Sequence, residues 1–295
     1  MTKYRNQLPQ LSGEQFLSDG GIETTLIFHD GIDLPHFAAF PLLQTDEGRE
    51  ALQKYFRTYA QLALKYETGF ILESPTWRAS SDWGNKLGYS DVELANSNRK
   101  AIEMLADIRT EFEDRKKPWV ISGCVGPRGD GYVPTDAMSA QDAFAYHATQ
   151  INTFSETEAD MVTAITMNYA EEAIGVALAA KSASMPVAIA FTVETDGRLP
   201  TGQTLGEALA SVDNATENYP AYYMINCAHP THFQEVLSSG GTWTKRIRGL
   251  RSNASVMSHA ELNESETLDE GDPLDFGRRH RELLDALPQL NIFGG

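Results

Sequence analysis

Short apolar runs rich in β-forming residues alternate along the whole chain with longer segments of helical periodicity. Eight runs predict strands, and a segment with helical spacing follows each of the first seven. Because repeated strand–helix units build a parallel sheet, the 295 residues predict an α/β fold, a (β/α)8 TIM barrel formed as one domain over residues 1–295. The predicted strands are Phe16–Ser18, Phe70–Glu73, Trp119–Ser122, Met161–Thr166, Val187–Val193, Tyr222–Asn226, Ile247–Arg251 and Gln289–Phe293.

The segments between these strands carry helix signals. Ser90 with Glu93 has the spacing of a capping box, and a similar signal at Ser139 opens another helix. The segment Leu250–Asp272 is rich in Ser, Asn, Glu and Gly, and it predicts a long loop on one barrel face. No helix is predicted after the last strand, so the outer helix expected there is missing. The alternative is that an N-terminal or inserted helix covers that part of the barrel. Further helices are predicted at Glu50–Tyr66, Ala170–Ser182, Leu205–Thr216, His232–Leu237 and Leu274–Leu287.

The charge balance limits the partners of the chain. Its 24 Lys and Arg residues against 41 Asp and Glu give a formal net charge of −17, which disfavours nucleic acid and anionic membranes. A polar start and the lack of a long apolar run argue against a signal peptide or a membrane span. With two cysteines a disulfide framework is excluded, so we expect a cytoplasmic protein with reduced thiols. The sequence does not indicate an oligomeric state.

In a (β/α)8 barrel the active site lies at the carboxyl ends of the strands, so the residues that follow each strand are the first candidates. Asp19 follows the first strand and precedes two glycines, although a turn or capping role is the alternative. Asn226 and Cys227 end the sixth strand. A lone cysteine is often a small core residue, but this position favours a functional thiol. The nearby His229 and His232 do not make a zinc signature by themselves.

Two carboxylates are further candidates. Glu73 ends the second strand and Glu194 follows the fifth, where each could bind substrate. The alternative for both is a salt bridge across the barrel mouth to Arg78, Arg128 or Arg198. Residues 123–131 form a glycine-dense loop that matches neither the dinucleotide nor the P-loop spacing, so nucleotide binding is weakly supported.

Four segments together resemble the homocysteine S-methyltransferase family over nearly the whole chain. The resemblance implies a zinc-dependent barrel in which one cysteine after strand six and a cysteine pair after a Gly-Gly at strand eight hold the metal. It makes Cys227 a zinc ligand, gives Asp19 the task of positioning the amino-acid end of the acceptor, and has Asn226 support the turn. The segments are Asp19-Gly20-Gly21 with Thr24 and Leu26, Gly123–Pro127, Pro186–Thr192 and Asn226-Cys227.

Two departures from the family pattern affect the expected chemistry. The sequence stops at Gly294-Gly295, where the pattern continues with two cysteines and a last helix. We therefore expect a trimmed or partly ordered form of a longer protein, which binds zinc poorly as 295 residues and well at full length. The alternative is a natural metal-free form. The strand-four glutamate that would bind the amino group of homocysteine is replaced by Ile165, so Glu73 or Glu194 would have to substitute.

The function expected from these residues is methyl transfer from a sulfonium or ammonium donor to the thiol of homocysteine or a relative, giving methionine or an analogue. The sequence does not identify the donor. One alternative is a metal-free barrel lyase or hydrolase that uses Asp19, Glu73 and Glu194 as acid and base. Another is a non-catalytic binding protein.

Overall fold

A closed barrel of eight parallel strands, in chain order, forms the centre of the computed structural model, which describes residues 2–112, 117–134, 136–265 and 267–295. Each strand pairs with the next, and the last strand closes the barrel by pairing Ile292 with Phe16. The predicted (β/α)8 barrel is thus confirmed. The strands are β1 Phe16–Ser18, β2 Gly69–Glu73, β3 Trp119–Val125, β4 Met161–Met167, β5 Val187–Phe191, β6 Tyr222–Asn226, β7 Ile247–Arg251 and β8 Ile292–Gly294.

Helices cover the outside of the barrel and follow every strand from β1 to β7. Within the described ranges, none of them is both long and apolar enough to span a bilayer. The α-helices are α1 Ile22–Thr24, α2 Asp46–Lys65, α3 Ser81–Lys86, α4 Asp91–Phe112, α5 Ala140–Ser155, α6 Ala170–Ser182, α7 Leu205–Thr216, α8 Pro230–Ser238, α9 His259–Glu264 and α10 Pro273–Ala286. Shorter helical turns lie at Pro9–Ser12, Thr25–His29, Pro35–Phe37, Phe40–Gln44 and Thr242–Arg246.

The inside of the barrel changes from apolar to polar along its axis. Side chains alternate between the two faces of a strand, and residues paired across parallel strands share a face. The lower interior is filled by apolar side chains, among them Phe16, Ile71, Met161 and Tyr222. Above them most of the inward positions are polar or charged, although Cys124 and Ile165 there belong to the same apolar cluster. The polar and charged upper residues are Ser18, Glu73, Ser122, Thr163, Asn226 and Arg251.

The segment before β1 closes the amino end of the barrel. Leu8 is buried in the interior cluster, and the Asn291 side chain donates to the carbonyls of Gln10 and Glu14 at 2.8 and 2.6 Å. Asp160 accepts from the backbone of Lys3 and Tyr4. The described part of this segment contains one short helical turn, rather than a long helix that covers the wall near β8.

Two local predictions need correction. The last strand is Ile292–Gly294 rather than Gln289–Phe293, because Asn291 uses its side chain to bind the N-terminal segment and only the next residues enter the ladder. The segment Leu250–Asp272, predicted as a loop, contains helix α9. Ser258 and Glu261 form a complete capping box at its start, a spacing that the sequence already carries.

Candidate active site at the barrel mouth

The carboxyl ends of the strands place the predicted site residues on one side of the barrel, called the mouth from here on. Asp19 leaves β1, Glu73 ends β2, Asn226 ends β6 and Cys227 follows it. Because the barrel closes in chain order, only β8 separates β1 from β7, although these two strands lie far apart in sequence. The mouth therefore gathers groups that no local sequence pattern connects.

Asp19 forms a buried ion pair with Arg251 at the end of β7. Its Oδ1 lies 2.8 Å from Nη1 of Arg251, and its Oδ2 accepts from the Tyr55 hydroxyl at 3.1 Å. Burial raises the pKa of Asp19, while Arg251 and Tyr55 oppose that rise by stabilising the carboxylate. A second nitrogen of Arg251 donates to the Gly20 carbonyl. Both oxygens of Asp19 are thus already engaged by the protein.

Glu73 points into the polar upper layer of the barrel and makes no salt bridge to Arg78, Arg128 or Arg198. Its Oε1 accepts from Thr163 at 2.9 Å, whereas its Oε2 is buried without a partner among the described residues. Burial raises the pKa of Glu73 to about 7, and Arg251 partly opposes the rise. Glu73 is therefore a buried carboxyl that changes charge near neutral pH.

Glu23 is a third carboxylate at the mouth, and sequence reasoning did not single it out. It lies on α1, directly after the two glycines that follow Asp19, and its side chain is partly exposed. Removal from water and the nearby Asp19 together raise the pKa of Glu23 to about 7, although its own backbone hydrogen bond, Arg251 and Arg78 oppose the rise. Its position two residues after the Asp-Gly-Gly segment was the available signal. Of the mouth carboxylates near Arg251, it is the one that solvent reaches most easily.

Cys227 is held in a left-handed backbone conformation at the end of β6. Its φ is 55°, which is unusual for a residue with a Cβ, and its N–H donates to the Arg251 carbonyl at 3.0 Å. The side-chain amide of Asn226 donates to the Cys227 Sγ at 3.0 Å. The same amide binds the N–H and the hydroxyl of Thr166, which also has a left-handed φ of 65°. Asn226 thus fixes two strained turns at once.

Two aromatic side chains from other loops cover Cys227. His259, the first residue of α9, places Nε2 2.6 Å from the Cys227 carbonyl and Nδ1 3.1 Å from Glu194. Both ring nitrogens of His259 thus face oxygen atoms, one on each side of the ring. The ring also packs on Tyr132, with centroids 4.3 Å apart. Burial and the nearby Cys227 thiol raise the pKa of Tyr132 well above its usual range, so its hydroxyl stays protonated.

The contact with His259 gives the position of Glu194 at the mouth. Glu194 pairs with His259 and not with Arg198, whose nearest carboxylate is Asp196. His229 has a structural role, because its Nδ1 accepts from the Thr231 N–H and caps α8. Burial lowers the pKa of His229 to about 4, which keeps the imidazole neutral for this task. The structure therefore brings Glu194 to the Cys227 turn and separates it from Glu73.

The described residues do not by themselves fit a zinc ion. In that part of the chain no three His, Cys, Asp or Glu side chains are arranged to hold a metal. The Cys227 sulfur accepts a hydrogen bond from the Asn226 amide and lies 3.9 Å from the Thr166 hydroxyl, and neither group is a zinc ligand of the usual kind. The other thiol, Cys124, is buried, and burial raises its pKa well above the usual range. Because zinc takes three or four protein ligands, Cys227 alone does not make a site.

Comparison with known proteins adds a family and a set of similar folds. The family model described as homocysteine S-methyltransferase matches residues 16–295. The homocysteine methyltransferase MmuM from Escherichia coli, metallated form, aligns with a TM-score of 0.72 at 17% identity, covering 96% of this chain and 91% of that one. Its apo form gives 0.65 at 16% identity, with 96% and 90% covered. At this identity the structural likeness shows the fold alone. No curated protein matches the chain.

Proposed function

This chain belongs to the homocysteine S-methyltransferase family, and from that premise we propose that it methylates the thiol of homocysteine or a closely related amino-acid thiol. Family membership makes it a methyltransferase, which disfavours the metal-free lyase or hydrolase and the non-catalytic binding protein. The observation that best supports the acceptor site is Cys227, a partly exposed thiol on a strained turn among polar groups at the mouth.

The proposed reaction is an in-line displacement. The acceptor sulfur forms a bond to the methyl carbon, the bond from that carbon to the donor sulfonium or ammonium breaks, and its electron pair stays on the departing neutral sulfide or amine. The thiol proton is released to solvent. Because a free thiol is mostly protonated at neutral pH, activation of the acceptor is the main requirement of this chemistry.

The residues of the mouth divide this task. Asp19 fixes Arg251, whose carbonyl in turn holds the backbone of Cys227. Since both oxygens of Asp19 are engaged, we assign the acceptor amino group to Glu23, which is more accessible, with Glu73 adding negative charge below. Asn226 positions the thiol end of the acceptor through its hydrogen bond to Cys227, and Glu194 does so through its hydrogen bond to His259, which covers the Cys227 turn. Holding the reactants in line is the contribution that these contacts make to the rate.

Zinc remains an expectation from the family resemblance, with Cys227 as the one candidate ligand that the described residues offer. No step above depends on the metal. We expect the 295-residue chain, purified without added metal, to hold far less than about one zinc per chain. Elemental analysis measures this, and stoichiometric zinc in both the wild type and Cys227→Ser would contradict the assigned ligand. We further propose a cytoplasmic enzyme with small-molecule substrates.

The activity is tested by incubating the chain with homocysteine and a trideuteromethyl donor, with and without added zinc, and measuring labelled methionine by mass spectrometry. S-methylmethionine, S-adenosylmethionine and glycine betaine serve as donors. We expect labelled methionine from at least one donor, and a rate at least about 100-fold lower for Cys227→Ser. Cys124→Ser is the matched control and should retain the rate. Equal rates for wild type and Cys227→Ser, or no product from any donor, would refute the proposal.

A further inference from the structure

Arg78, in the loop after β2, has its guanidinium between two indole rings. The central carbon of the guanidinium lies 4.1 Å from the ring centroid of Trp77 and 3.6 Å from that of Trp83. Such stacking occupies the faces of the group and leaves its in-plane N–H donors as the polar edge. The residue is 7% exposed, so the two rings hold a cation that is largely removed from water.

Most of the donors of Arg78 are unused by the protein. Nη1 donates to the Gly129 carbonyl at 2.9 Å, and Nε is buried without a partner. Among the described residues no carboxylate forms a salt bridge with Arg78, although Arg109, which is similarly buried, pairs with Asp160. A buried guanidinium with free in-plane donors is suited to a planar, singly charged acceptor that binds with two oxygens.

The position of this group is fixed by the mouth loops. The Trp77 indole N–H donates to the carbonyl of Ile165 in β4, at 3.3 Å. A Cβ on Gly126 would lie 2.3 Å from the Trp77 carbonyl and 2.6 Å from its ring, so the glycine allows the close approach of these loops. Trp83 is buried on α3. The stack is thus held from both sides and would not need to assemble when a ligand arrives.

Charge around Arg78 selects the class of ligand. Asp130 and Glu23 act on it electrostatically, and Glu23 also interacts with Asp19 and Arg251. With these carboxylates close by, a dianionic phosphate would be repelled more strongly than a monoanion. An amino acid carries a carboxylate and an ammonium group a short distance apart, and the mouth offers Arg78 as a cation and Glu23, above its pKa of about 7, as an anion.

We propose that Arg78 binds the carboxylate of a substrate at the mouth, while Glu23 takes the ammonium group when that substrate is the acceptor amino acid. This inference rests on the proposed function and names the group that recognises the substrate. The recognised carboxylate belongs either to the acceptor or to a zwitterionic methyl donor. The two sources share one chemistry, and the test below distinguishes them.

The test measures binding by isothermal titration calorimetry, which does not require turnover. The probes for the acceptor are methionine and 3-(methylthio)propylamine, which differ by the carboxylate. We expect Arg78→Met to weaken methionine binding at least about tenfold and to leave the amine probe within about twofold, because one charge-assisted contact is lost. Lys86→Met is the matched control, since Lys86 lies 3.9 Å from the Trp83 ring centroid but is exposed. It should bind both probes as the wild type does.

The second pair of probes is dimethylsulfoniopropionate and trimethylsulfonium. A loss confined to dimethylsulfoniopropionate would assign the carboxylate to the donor and would still support the proposal. If Arg78→Met does not fold, Arg78→Lys takes its place in the test, because lysine keeps the charge without the planar fork. We expect Arg78→Lys to lose part of the affinity for the carboxylate probes. Unchanged affinity of both carboxylate probes in a folded variant, or no binding of either to the wild type, would overturn the proposal. Arg78-dependent binding without any methylation of homocysteine would refute only the proposed function.

Discussion

At the level of single residues, Cys227 combines a strained backbone with the side chain that the proposed chemistry needs. A left-handed φ costs a residue with a Cβ roughly 1–2 kcal/mol, and glycine avoids that cost. Asn226 and the Arg251 carbonyl maintain the turn in spite of this strain. Strain held in place in this way is typical of functional sites.

Replacing Cys227 by Gly and by Ala separates folding from function. Both variants lack the thiol, but only Ala retains the strain, so we expect Cys227→Gly to be more stable than Cys227→Ala by about 1 kcal/mol. Both should have lost methyl transfer. Urea unfolding measures the difference, and an Ala variant as stable as the Gly variant would show that the turn is unstrained.

Glu73 makes the stability of the chain depend on pH. Its pKa rises from an ordinary 4.5 to about 7, so the folded state binds the proton more tightly than the unfolded state. The resulting stabilisation is present below pH 4.5 and is lost as the pH rises through about 7, and it amounts to roughly 3 kcal/mol. We therefore expect the free energy of unfolding of Glu73→Gln, relative to that of the wild type, to increase by roughly 3 kcal/mol when the pH is raised from 4.5 to 8.

Urea unfolding at the two pH values gives this difference directly. Glu50→Gln, on the exposed face of α2, is the control and should follow the wild type at both. A difference in stability between Glu73→Gln and wild type that does not change with pH would mean that Glu73 keeps one charge state throughout.

The residues found from the sequence share one property, which is that they lie at the ends of apolar strands or within three residues of them. This position was sufficient to single out Asp19, Glu73, Glu194, Asn226 and Cys227. Arg251 was assigned to a strand without a role, because its partner Asp19 is 232 positions away and only barrel closure brings them together. Whether these side chains perform the roles assigned to them stays a prediction.

At the level of elements, α9 acts as a cover on the Cys227 turn. His259→Ala removes three hydrogen bonds, to Glu194, the Cys227 carbonyl and the Thr192 hydroxyl, and the contact with Tyr132. We therefore expect amide exchange in α9 to accelerate about tenfold and the Cys227 thiol to react faster with an aromatic disulfide reagent. The free energy of unfolding should change little, because α9 buries no residue.

His232→Ala is the control for this prediction. His232 contacts the same segment through the Val256 carbonyl at 2.9 Å but does not touch the Cys227 turn. Its loss should leave the thiol reactivity at the wild-type level. Equal thiol reactivity in His259→Ala and wild type would mean that α9 does not shield the sulfur.

Elements with a strong local signal were predicted closely. Strands β1, β6 and β7 and helices α6 and α7 have the predicted bounds. Their limits are set by local patterns and caps, as at Thr204 and Glu207 before α7. The bounds of β8 and the position of α9 were not predicted from the sequence, because they depend on contacts with the N-terminal segment and with the mouth. Long-range hydrogen bonds of this kind leave no period in the sequence.

At the level of the whole molecule, the two ends of the barrel have different tasks. Asp160 at the amino end is fully buried and binds Arg109 at 2.8 Å, the Ile121 N–H at 3.0 Å and two N–H groups of the first residues. We expect Asp160→Ala to lower the free energy of unfolding by about 3 kcal/mol, because the buried Arg109 keeps only the more distant and half-exposed Glu158, 3.6 Å away, as an ionic partner. Ligand binding at the mouth should not change.

Thermal and urea unfolding measure the stability of this variant, and calorimetry measures the affinity for methionine. Asp285→Ala is the control, since it breaks an exposed ion pair with Arg281 that is worth at most about 1 kcal/mol. Equal losses for the two variants would show that Asp160 has no special part in closing the barrel.

The chain has four tryptophans, and two of them enclose the Arg78 guanidinium. Trp119 is buried in the barrel wall, and Trp243 packs on the core beside α7. A ligand that pairs with Arg78 changes the electric field at the Trp77 and Trp83 rings while leaving the other two unaffected. The intrinsic fluorescence of the protein is therefore a built-in optical signal for events at the mouth, readable at micromolar concentration without a dye.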